Sequence, residues 1–347
     1  MELRPLVSLI LPVRNEAAYI ERAMRAILGQ NYPLDRMEIL VVDGMSTDGT
    51  RQKVQDLTAL YPRRNIRVLD NPDGIVPIGM NIALRQAKGD ILIRVDGHCI
   101  IASDYVLCCV ERLQNDGIDG VGGPMDTVGE TILSMAIAFG MSSAFGVGNS
   151  AFRTTMGRSM LADTVPFPAY TRQIIRRAGL YDEELVRNQD DEYNYRIREL
   201  GGKILLAEDV HSTYFSRASF KNLWRQYFQY GLYKVRVLQK HPRQMSPRQF
   251  VPPLFVLALL ISLFLAFFPI TRFLSVLAPA SYMTANLVAS LLTASRRGWK
   301  FLPFLPCTFA ILHLSYGLGF LTGLLKFRDR WDDKIGKTPE WSGESLG

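Results

Sequence analysis

Carboxylates stand at three places in this chain where they could meet a ligand: Asp43, Asp96, and the pair Asp190-Asp191. Asp43 and Asp96 each close a short apolar run, Ile39 to Val42 and Ile91 to Val95, and a third run, Ile66 to Leu69, ends at Asp70. An ionised carboxylate in such a place can accept from ribose hydroxyls or a base N–H, ligate a divalent ion, or take a proton as general base. Asp is also a good turn residue and helix cap, so one such ending would carry little. What gives the pair weight is position, because ligands of open α/β sheets sit just beyond the carboxyl ends of the strands. His98 lies two residues past Asp96. Alternate positions at a strand end point the same way, so Asp96 and His98 form a candidate ligand pair for a divalent ion, the imidazole suiting Mn²⁺ better than Mg²⁺.

The elements that must position these groups alternate along the first third. After the run Leu6 to Val13, Ile20, Met24, Ile27 and Leu28 recur at helical spacing, and Asn31-Tyr-Pro33 stops that helix. The Asp43 strand runs into Gly-Met-Ser-Thr-Asp-Gly-Thr50, where Ser46, Thr47 or Asp48 can cap a helix through Tyr61. Strand Ile66 to Leu69, helix Pro77 to Lys88 and strand Ile91 to Val95 complete a βαβαβαβ series. The fold class is therefore α/β with a doubly wound, mostly parallel sheet. Residues 117–167 are glycine-rich and read as loops over a cleft, whereas residues 169–200 become helical again and Ile204 to Ala207 form a further strand.

Past residue 250 the composition changes. Phe255 to Ile270, Phe273 to Ala294 and Phe301 to Leu325 hold no Asp, Glu, Lys or Arg, and each approaches the length of about 20 residues that spans a bilayer. The net charge of +7 is uneven, since no Asp or Glu occurs between Asp209 and Asp329. A basic, aromatic stretch with Arg217, Lys221, Arg225, Lys234, Arg236, Lys240, Arg243 and Arg248 precedes the first apolar segment. It reads as an amphipathic helix lying on anionic headgroups at the cytoplasmic side, not as a nucleic-acid surface. The chain thus divides into a catalytic domain (1–215), a juxtamembrane helix (216–250), a membrane domain (251–325) and a polar tail (326–347). Two spans return Arg296, Arg297 and Lys300 to the inside as the charge bias requires, but a third would export Lys326, Arg328 and Arg330 unless it is re-entrant or interfacial. Cys99, Cys108, Cys109 and Cys307 show neither metal-type spacing nor a disulfide framework, and the N-terminus lacks signal-peptide features, so the catalytic domain is expected in the cytoplasm.

A P-loop, a Gly-x-Gly-x-x-Gly turn after the first strand and His-Glu-x-x-His are all absent from the sequence, which removes the main support for P-loop kinases, dinucleotide dehydrogenases and zincins. What is present is Leu-Pro-Val-Arg-Asn-Glu16, Val-Val-Asp43-Gly-Met-Ser-Thr-Asp-Gly-Thr, Asn81 to Gly89, Arg94-Val-Asp-Gly-His98 and Asn188-Gln-Asp-Asp-Glu-Tyr-Asn-Tyr-Arg196, in register from about Leu6 to His211. This series resembles the family-2 glycosyltransferases. Its Gln-Asp-Asp-Glu segment, the run from Phe220 to Gly231 and the apolar tail are most similar to membrane-bound, succinoglycan-type exopolysaccharide glycosyltransferases.

The resemblance implies a GT-A fold, a nucleotide-sugar donor and a divalent cation, Mn²⁺ or Mg²⁺. It assigns Pro12, Glu16 and Asp43 to the nucleoside, places Asp96-Gly-His98 at the family's Asp-x-Asp metal motif, and adds His211 as a further ligand of metal or diphosphate. Asp190 matches the family's general base, with Asp191 as substitute and Gln189 where glutamate is usual. Arg225, with Gln226 and Lys234, lies where a lipid diphosphate would present its charge. The expected function is inverting transfer of a hexose from a UDP-sugar to a lipid-linked, polyprenyl-diphosphate type acceptor at the cytoplasmic face of the inner membrane, in exopolysaccharide or related glycan assembly. Membrane lipids and other glycan-assembly enzymes are the expected partners. The alternative is a non-catalytic membrane scaffold or sensor that binds a nucleotide-sugar.

Overall fold

The computed structural model describes residues 4–148, 152, 157–216, 219–334, 336 and 338–339. Arg217 and most of the tail beyond 334 lie outside the described residues. The chain forms two compact units, one of residues 1–126 and 155–214 with the end 335–347, the other of 127–154 and 215–334.

The first unit begins with the alternating series: β1 (Val7–Val13), α1 (Ile20–Leu28), β2 (Met37–Asp43), α2 (Thr50–Leu60), β3 (Asn65–Asp70), α3 (Val76–Gln86) and β4 (Ile91–Arg94). All seven residues of β2 are buried, as expected of a parallel strand covered on both faces. Helix α1 buries Ile20, Ala23, Met24, Ile27 and Leu28, one stripe at the helical repeat, and leaves Glu21 paired with Arg25 in solvent. Further along come β5 (Cys99–Ile101), α4 (Tyr105–Asn115), β6 (Gly120–Gly122), β7 (Met125–Val128), β8 (Met160–Leu161), β9 (Ala169–Thr171), α5 (Arg172–Ala178), α6 (Gln189–Glu199), β10 (Ile204–Leu206) and β11 (Ser212–Phe215).

The main sheet has the order β3-β2-β1-β4-β9-β6-β10-β8, and a smaller one the order β5-β11-β7. Strands β1 to β4 are mutually parallel, while β9 runs antiparallel between β4 and β6. The chain winds outward from β1 through β2 to β3, then returns to place β4 on the opposite flank of β1. That reversal opens a crevice at the carboxyl ends of β1 and β4, the position where doubly wound sheets take their ligands. Ala169–Thr171, which the sequence placed at the start of a helical stretch, is strand because its backbone is claimed by β4 and β6 on either side.

The second unit holds α7 (Phe220–Lys240), α8 (Val251–Leu265), α9 (Leu277–Arg297) and α10 (Leu305–Lys326). Among the described residues, three stretches are long and apolar enough to cross a membrane: Pro247–Leu265, Leu274–Arg297 and Leu305–Lys326. The glycine-rich segment expected as loops contributes the apolar helix Ile132–Met141 to this unit, started by a Thr131–Ser134 capping box. Helix α7 corrects another expectation. Lys221 and Arg225 are exposed, but Lys234, Arg236 and Lys240 are buried, because α7 packs along α10 and does not offer its whole basic face to headgroups.

Candidate active site

The loop after β1 and the loop after β2 are bound to each other residue by residue. Asn15 N donates to Ser46 Oγ (2.9 Å), Thr47 N to Asn15 Oδ1 (2.9 Å), Glu16 N to Thr50 Oγ1 (2.8 Å) and Ala17 N to Asp48 Oδ2 (2.9 Å). Ser-Thr-Asp-Gly-Thr50 is thus the staple that shapes Pro12 to Glu16, and Asn15 and Met45 sit in the left-handed region to permit it. Asp48 also accepts from Thr50 N (3.0 Å), while the cap position of α2, for which Ser46, Thr47 or Asp48 was expected, is taken by Gly49 in a left-handed conformation. Burial would raise the pKa of Asp48, but the bonds from Thr50 and Ala17 outweigh burial and lower it.

Asp43 ends β2 almost fully buried. Its Oδ1 accepts from Ser46 N (3.1 Å), and Arg51 Nη1 lies 3.3 Å from Oδ2 while bridging to Asp70. Asp43 and the end of β4 flank β1, two strand spacings or about 10 Å apart. Asp96 stands two residues past the end of β4. Its Oδ1 accepts from Arg94 Nε (2.9 Å), and its side chain keeps 22% exposure. Burial pushes its pKa up, but Arg94, then His98 and Arg187, pull it down and the net direction is downward.

Arg94, quoted in the sequence only as part of a motif, proves central. Its side chain is nine-tenths buried, and burial alone would favour the neutral form. Asp96 first, and Asp190 after it, hold the guanidinium charged with its pKa raised. The cation is paired with Asp96 and also feels the charge of Asp190, a carboxylate far away along the chain.

Asp190 reaches this place through a scaffold of its own. Asn81 on α3 is buried and clamps the segment ahead of α6: its Nδ2 donates to Tyr181 O and Glu183 Oε1 (both 2.9 Å), and its Oδ1 accepts from Tyr181 N (2.8 Å). Tyr181 stacks on Tyr193 of α6 with ring centroids 4.0 Å apart, and both line a cavity with Arg94, Met80 and Tyr170. Asn188 begins α6 in a left-handed conformation, and Asp190 Oδ1 accepts from Asp191 N (2.9 Å) in the first turn. Glu192 does not add to an acidic cluster, since it is buried against Arg196 Nε (2.6 Å).

The nucleoside assignment of Glu16 meets a competing contact: Glu16 Oε1 lies 2.9 Å from His98 Nδ1. Gly97 permits this approach, because a methyl there would press on Val13 and the Glu16 stem at 3.0 and 3.1 Å. Tyr214 packs edge-on against the imidazole, with centroids 4.9 Å apart. That contact also accounts for His211. Tyr214 and Ser212 of β11 face inward, so the alternation of the strand turns His211, three residues before Tyr214, to the exposed side. Among the described residues no three His, Cys, Asp or Glu side chains converge as a metal cage, and His211 does not complete one with Asp96 and His98. The Asp96–His98 pair still suits a divalent ion that takes its remaining ligands from a diphosphate, since one Asp96 oxygen and His98 Nε2 lie outside the Arg94 and Glu16 bonds. Arg225 is exposed on α7, in the other unit, and Pro12 is half-buried at the end of β1 beside Val42.

An open, mostly parallel sheet with Asp43 at the end of β2 and Asp96 just past β4, on either side of the switch point, is the architecture of a GT-A transferase. The model of Glycosyl transferase family 2 matches residues 8–182, and the chain belongs to that family. It is 30% identical over 325 residues to "Succinoglycan biosynthesis protein ExoA" of Rhizobium meliloti, covering 93% of this chain and 96% of that one. It is 26% identical over 240 residues to a Methanococcus voltae "Dolichyl N-acetyl-alpha-D-glucosaminyl phosphate 3-beta-D-2,3-diacetamido-2,3-dideoxy-beta-D-glucuronosyltransferase", covering 67% of this chain and 74% of that one. Among solved structures, the "Mannosyltransferase PcManGT from Pyrobaculum calidifontis in complex with GDP-Man and Mn2+" shares the fold with a TM-score of 0.59 at 20% identity, over 92% of this chain and 88% of that one. The protein is a glycosyltransferase of glycan or polysaccharide biosynthesis.

Proposed function

We propose that the chain is an inverting, cation-dependent hexosyltransferase that moves a sugar from a UDP-sugar to a lipid-linked acceptor of the polyprenyl-diphosphate type, with its catalytic unit at the cytoplasmic face of the inner membrane. The observation that carries this is Asp96 held by buried Arg94 past the end of β4, at the sheet's switch point, with Asp190 near enough for its charge to act on the same guanidinium. Asp190 is the general base, taking the proton of the acceptor hydroxyl as its oxygen attacks the anomeric carbon in a single displacement. Asp191 flanks it. Asp43, with Pro12 and the Glu16 loop, receives the nucleoside, while Glu16 also orients His98. Asp96 and His98 hold the divalent ion, which when bound offsets the charge that develops on the departing nucleotide. Arg94 keeps Asp96 ionised and fixed in orientation. The relatives named above support the coarser parts of this reading, through GDP-Man with Mn2+ in one, a dolichyl phosphate sugar in another and succinoglycan in the third.

The test is transfer by purified protein in detergent, with UDP-, GDP- and dTDP-sugars against polyprenyl-diphosphate-sugar acceptors, with Mn²⁺, with Mg²⁺ and with chelator. Transfer from a UDP-hexose, lost with chelator and giving a product of opposite anomeric configuration, is expected. Asp190→Asn should lower kcat by about 10²–10⁴-fold with donor binding retained. Donor binding without transfer or donor hydrolysis across the whole panel would instead make the chain a nucleotide-sugar-binding scaffold.

A further inference from the structure

The three apolar stretches of the second unit differ in what covers them. Of the 18-residue apolar core, 17% is buried within the protein in Pro247–Leu265 and 11% in Leu274–Arg297, against 50% in Leu305–Lys326. Large exposed apolar side chains crowd the first two and their connection, among them Leu254, Ile261, Phe264, Phe267, Ile270 and Met283. Among the described residues of α10, Leu325 alone is in that class.

What covers α10 is backbone at close range. A methyl at Gly231 of α7 would strike the Tyr316 carbonyl, and one at Gly319 or Gly323 of α10 would strike the carbonyls of Phe228 or Leu232. Small residues let helices approach this closely. The two helices run parallel, Phe228 beside Gly319 and Leu232 beside Gly323, and Gln239 Nε2 then donates to Phe327 O (2.8 Å). Arg236, fully buried, closes the contact. Its Nη1 donates to Gln239 Oε1 (2.6 Å) and Arg330 O (3.1 Å), and its Nη2 to Asp333 O (3.2 Å). The chain just beyond α10 is therefore held by the end of α7, the helix that precedes the first apolar stretch.

The path of α10 agrees. Helices α8 and α9 form a hairpin, and from α9 Asn286 Nδ2 donates to Pro306 O of α10 (3.0 Å) while Tyr282 OH lies 2.9 Å from His313 Nδ1 of α10. Gly317 then meets Pro252, and Phe320 packs on Phe250 at 5.8 Å. So α10 leaves the hairpin at the start of α8, not at the turn that joins α8 to α9.

We propose that the hairpin of Pro247–Leu265 and Leu274–Arg297 is the only part of this unit to cross the bilayer, its exposed apolar surface solvated by lipid chains. Helix α10 lies at the interface on the side from which α7 comes, sheathed by α7 and α8. A crossing α10 would carry the Arg236 partners to the opposite face, or draw Lys234, Arg236 and Lys240 into hydrocarbon, where charges are costly. The two-span arrangement also leaves Lys326, Arg328 and Arg330 inside, as the charge bias asks. It rests on the membrane-attached reading above, but not on any activity.

The experiment reads sidedness in the full chain. Cys108→Ala and Cys307→Ala remove the two thiols that are not buried, and Ile270→Cys or Asp329→Cys then adds one exposed thiol. Both are probed with a membrane-impermeant maleimide in spheroplasts and in inside-out vesicles. Labelling of Ile270→Cys in spheroplasts only, and of Asp329→Cys in inside-out vesicles only, is the expected result. Labelling of Asp329→Cys in spheroplasts would show that α10 crosses, and both thiols reacting from the same side would show that the hairpin does not; either overturns the proposal. Trypsin on the unsubstituted protein gives a check without variants: cleavage after Arg328 in inside-out vesicles agrees, and cleavage there in spheroplasts refutes. Full recovery of the chain in the soluble fraction would end the membrane reading itself, whereas absence of transfer would leave the sidedness result standing.

Discussion

Replacing Arg94 by methionine keeps an unbranched apolar stem and deletes the cation between Asp96 and Asp190. With Arg94 Nε 2.9 Å from Asp96 Oδ1 the charge centres stand about 4 Å apart, an attraction of about 4 kcal/mol at an effective dielectric near 20. The 22% exposure of Asp96 lets water recover part of this, so we expect a net loss of about 2 kcal/mol, or about 4–8 °C in Tm for a unit of this size. The more diagnostic effect is on titration. Without the guanidinium Asp96 loses the charge that lowers its pKa and holds its proton to higher pH, and the acid limb of the kcat–pH profile moves up by about 1–2 units. A merely structural arginine would lower Tm without moving that limb. Arg94→Lys, which retains charge but loses the fork, should fall between wild type and methionine. Melting curves and transfer rates from pH 5 to 9 on the three proteins decide the matter. If Arg94→Met lowers Tm and leaves the pH profile in place, the electrostatic hold of Arg94 on Asp96 is wrong. Adding Asp96→Asn to Arg94→Met should then restore part of the lost Tm, because it removes the charge left uncompensated.

Asn81→Ala removes three bonds to the 181–183 segment, two of them buried, and is expected to cost about 2–3 kcal/mol, with kcat reduced more than KM as Asp190 loses its support; chemical denaturation and steady-state kinetics measure both. Because Asp96 titrates below its ordinary range, the stability from its ion pair is complete above about pH 4 and fades as the pH falls through its depressed pKa. Asp96→Asn should flatten the acid-unfolding curve in that window and leave the slope above pH 5 unchanged. His98→Ala is expected to weaken Mn²⁺ activation about 10-fold or more and to narrow the preference for Mn²⁺ over Mg²⁺, as titration of the cation in the transfer assay would show. Gly319→Leu forces a branched side chain against the Phe228 carbonyl and should lower detergent-solubilised Tm by several degrees, while Leu263→Ala on the exposed face of α8 should leave it nearly unchanged.

The alternating half of the first unit was legible because its physics is local. A buried parallel strand requires an apolar run, and Leu9–Val13 in β1, Ile39–Val42 in β2 and Ile91–Ile93 in β4 supply one each; Asp43 and Asp96, past the runs of β2 and β4, were legible for the same reason, an unpaired carboxylate being costly inside the run. Strands β5, β6, β8, β9 and β11 have two to four residues, too few for any period to show, and they exist because a neighbour offers backbone partners. Lys234, Arg236 and Lys240 could be counted in advance but not placed. Their burial depends on α10, some 80 residues on, whose glycines at 319 and 323 were the available signal and read more readily as helix breaks than as a packing seam.

Arg94 and Glu16 show why a motif can be seen and its working missed. Each residue type admits several uses, and the choice among them is made by a partner from another element. Glu16 had been matched to a nucleoside, and a first-turn acid can serve there, yet the imidazole two residues past Asp96 takes one of its oxygens. A carboxylate bound to one ring nitrogen fixes the tautomer and aims the other nitrogen outward, which is what a cation ligand needs. Arg94 interrupts an otherwise apolar strand at a point where an uncompensated charge would be prohibitive, so its presence there implies acids on both sides of it. Asp96 is adjacent in sequence and could be inferred; Asp190 could not, because the Asn81 clamp and the Tyr181–Tyr193 stack that carry it to Arg94 arise from three separate segments. A buried arginine inside a strand that ends in aspartate is therefore a usable sign of a second, distant carboxylate, and the search for it belongs among acidic helix starts elsewhere in the chain.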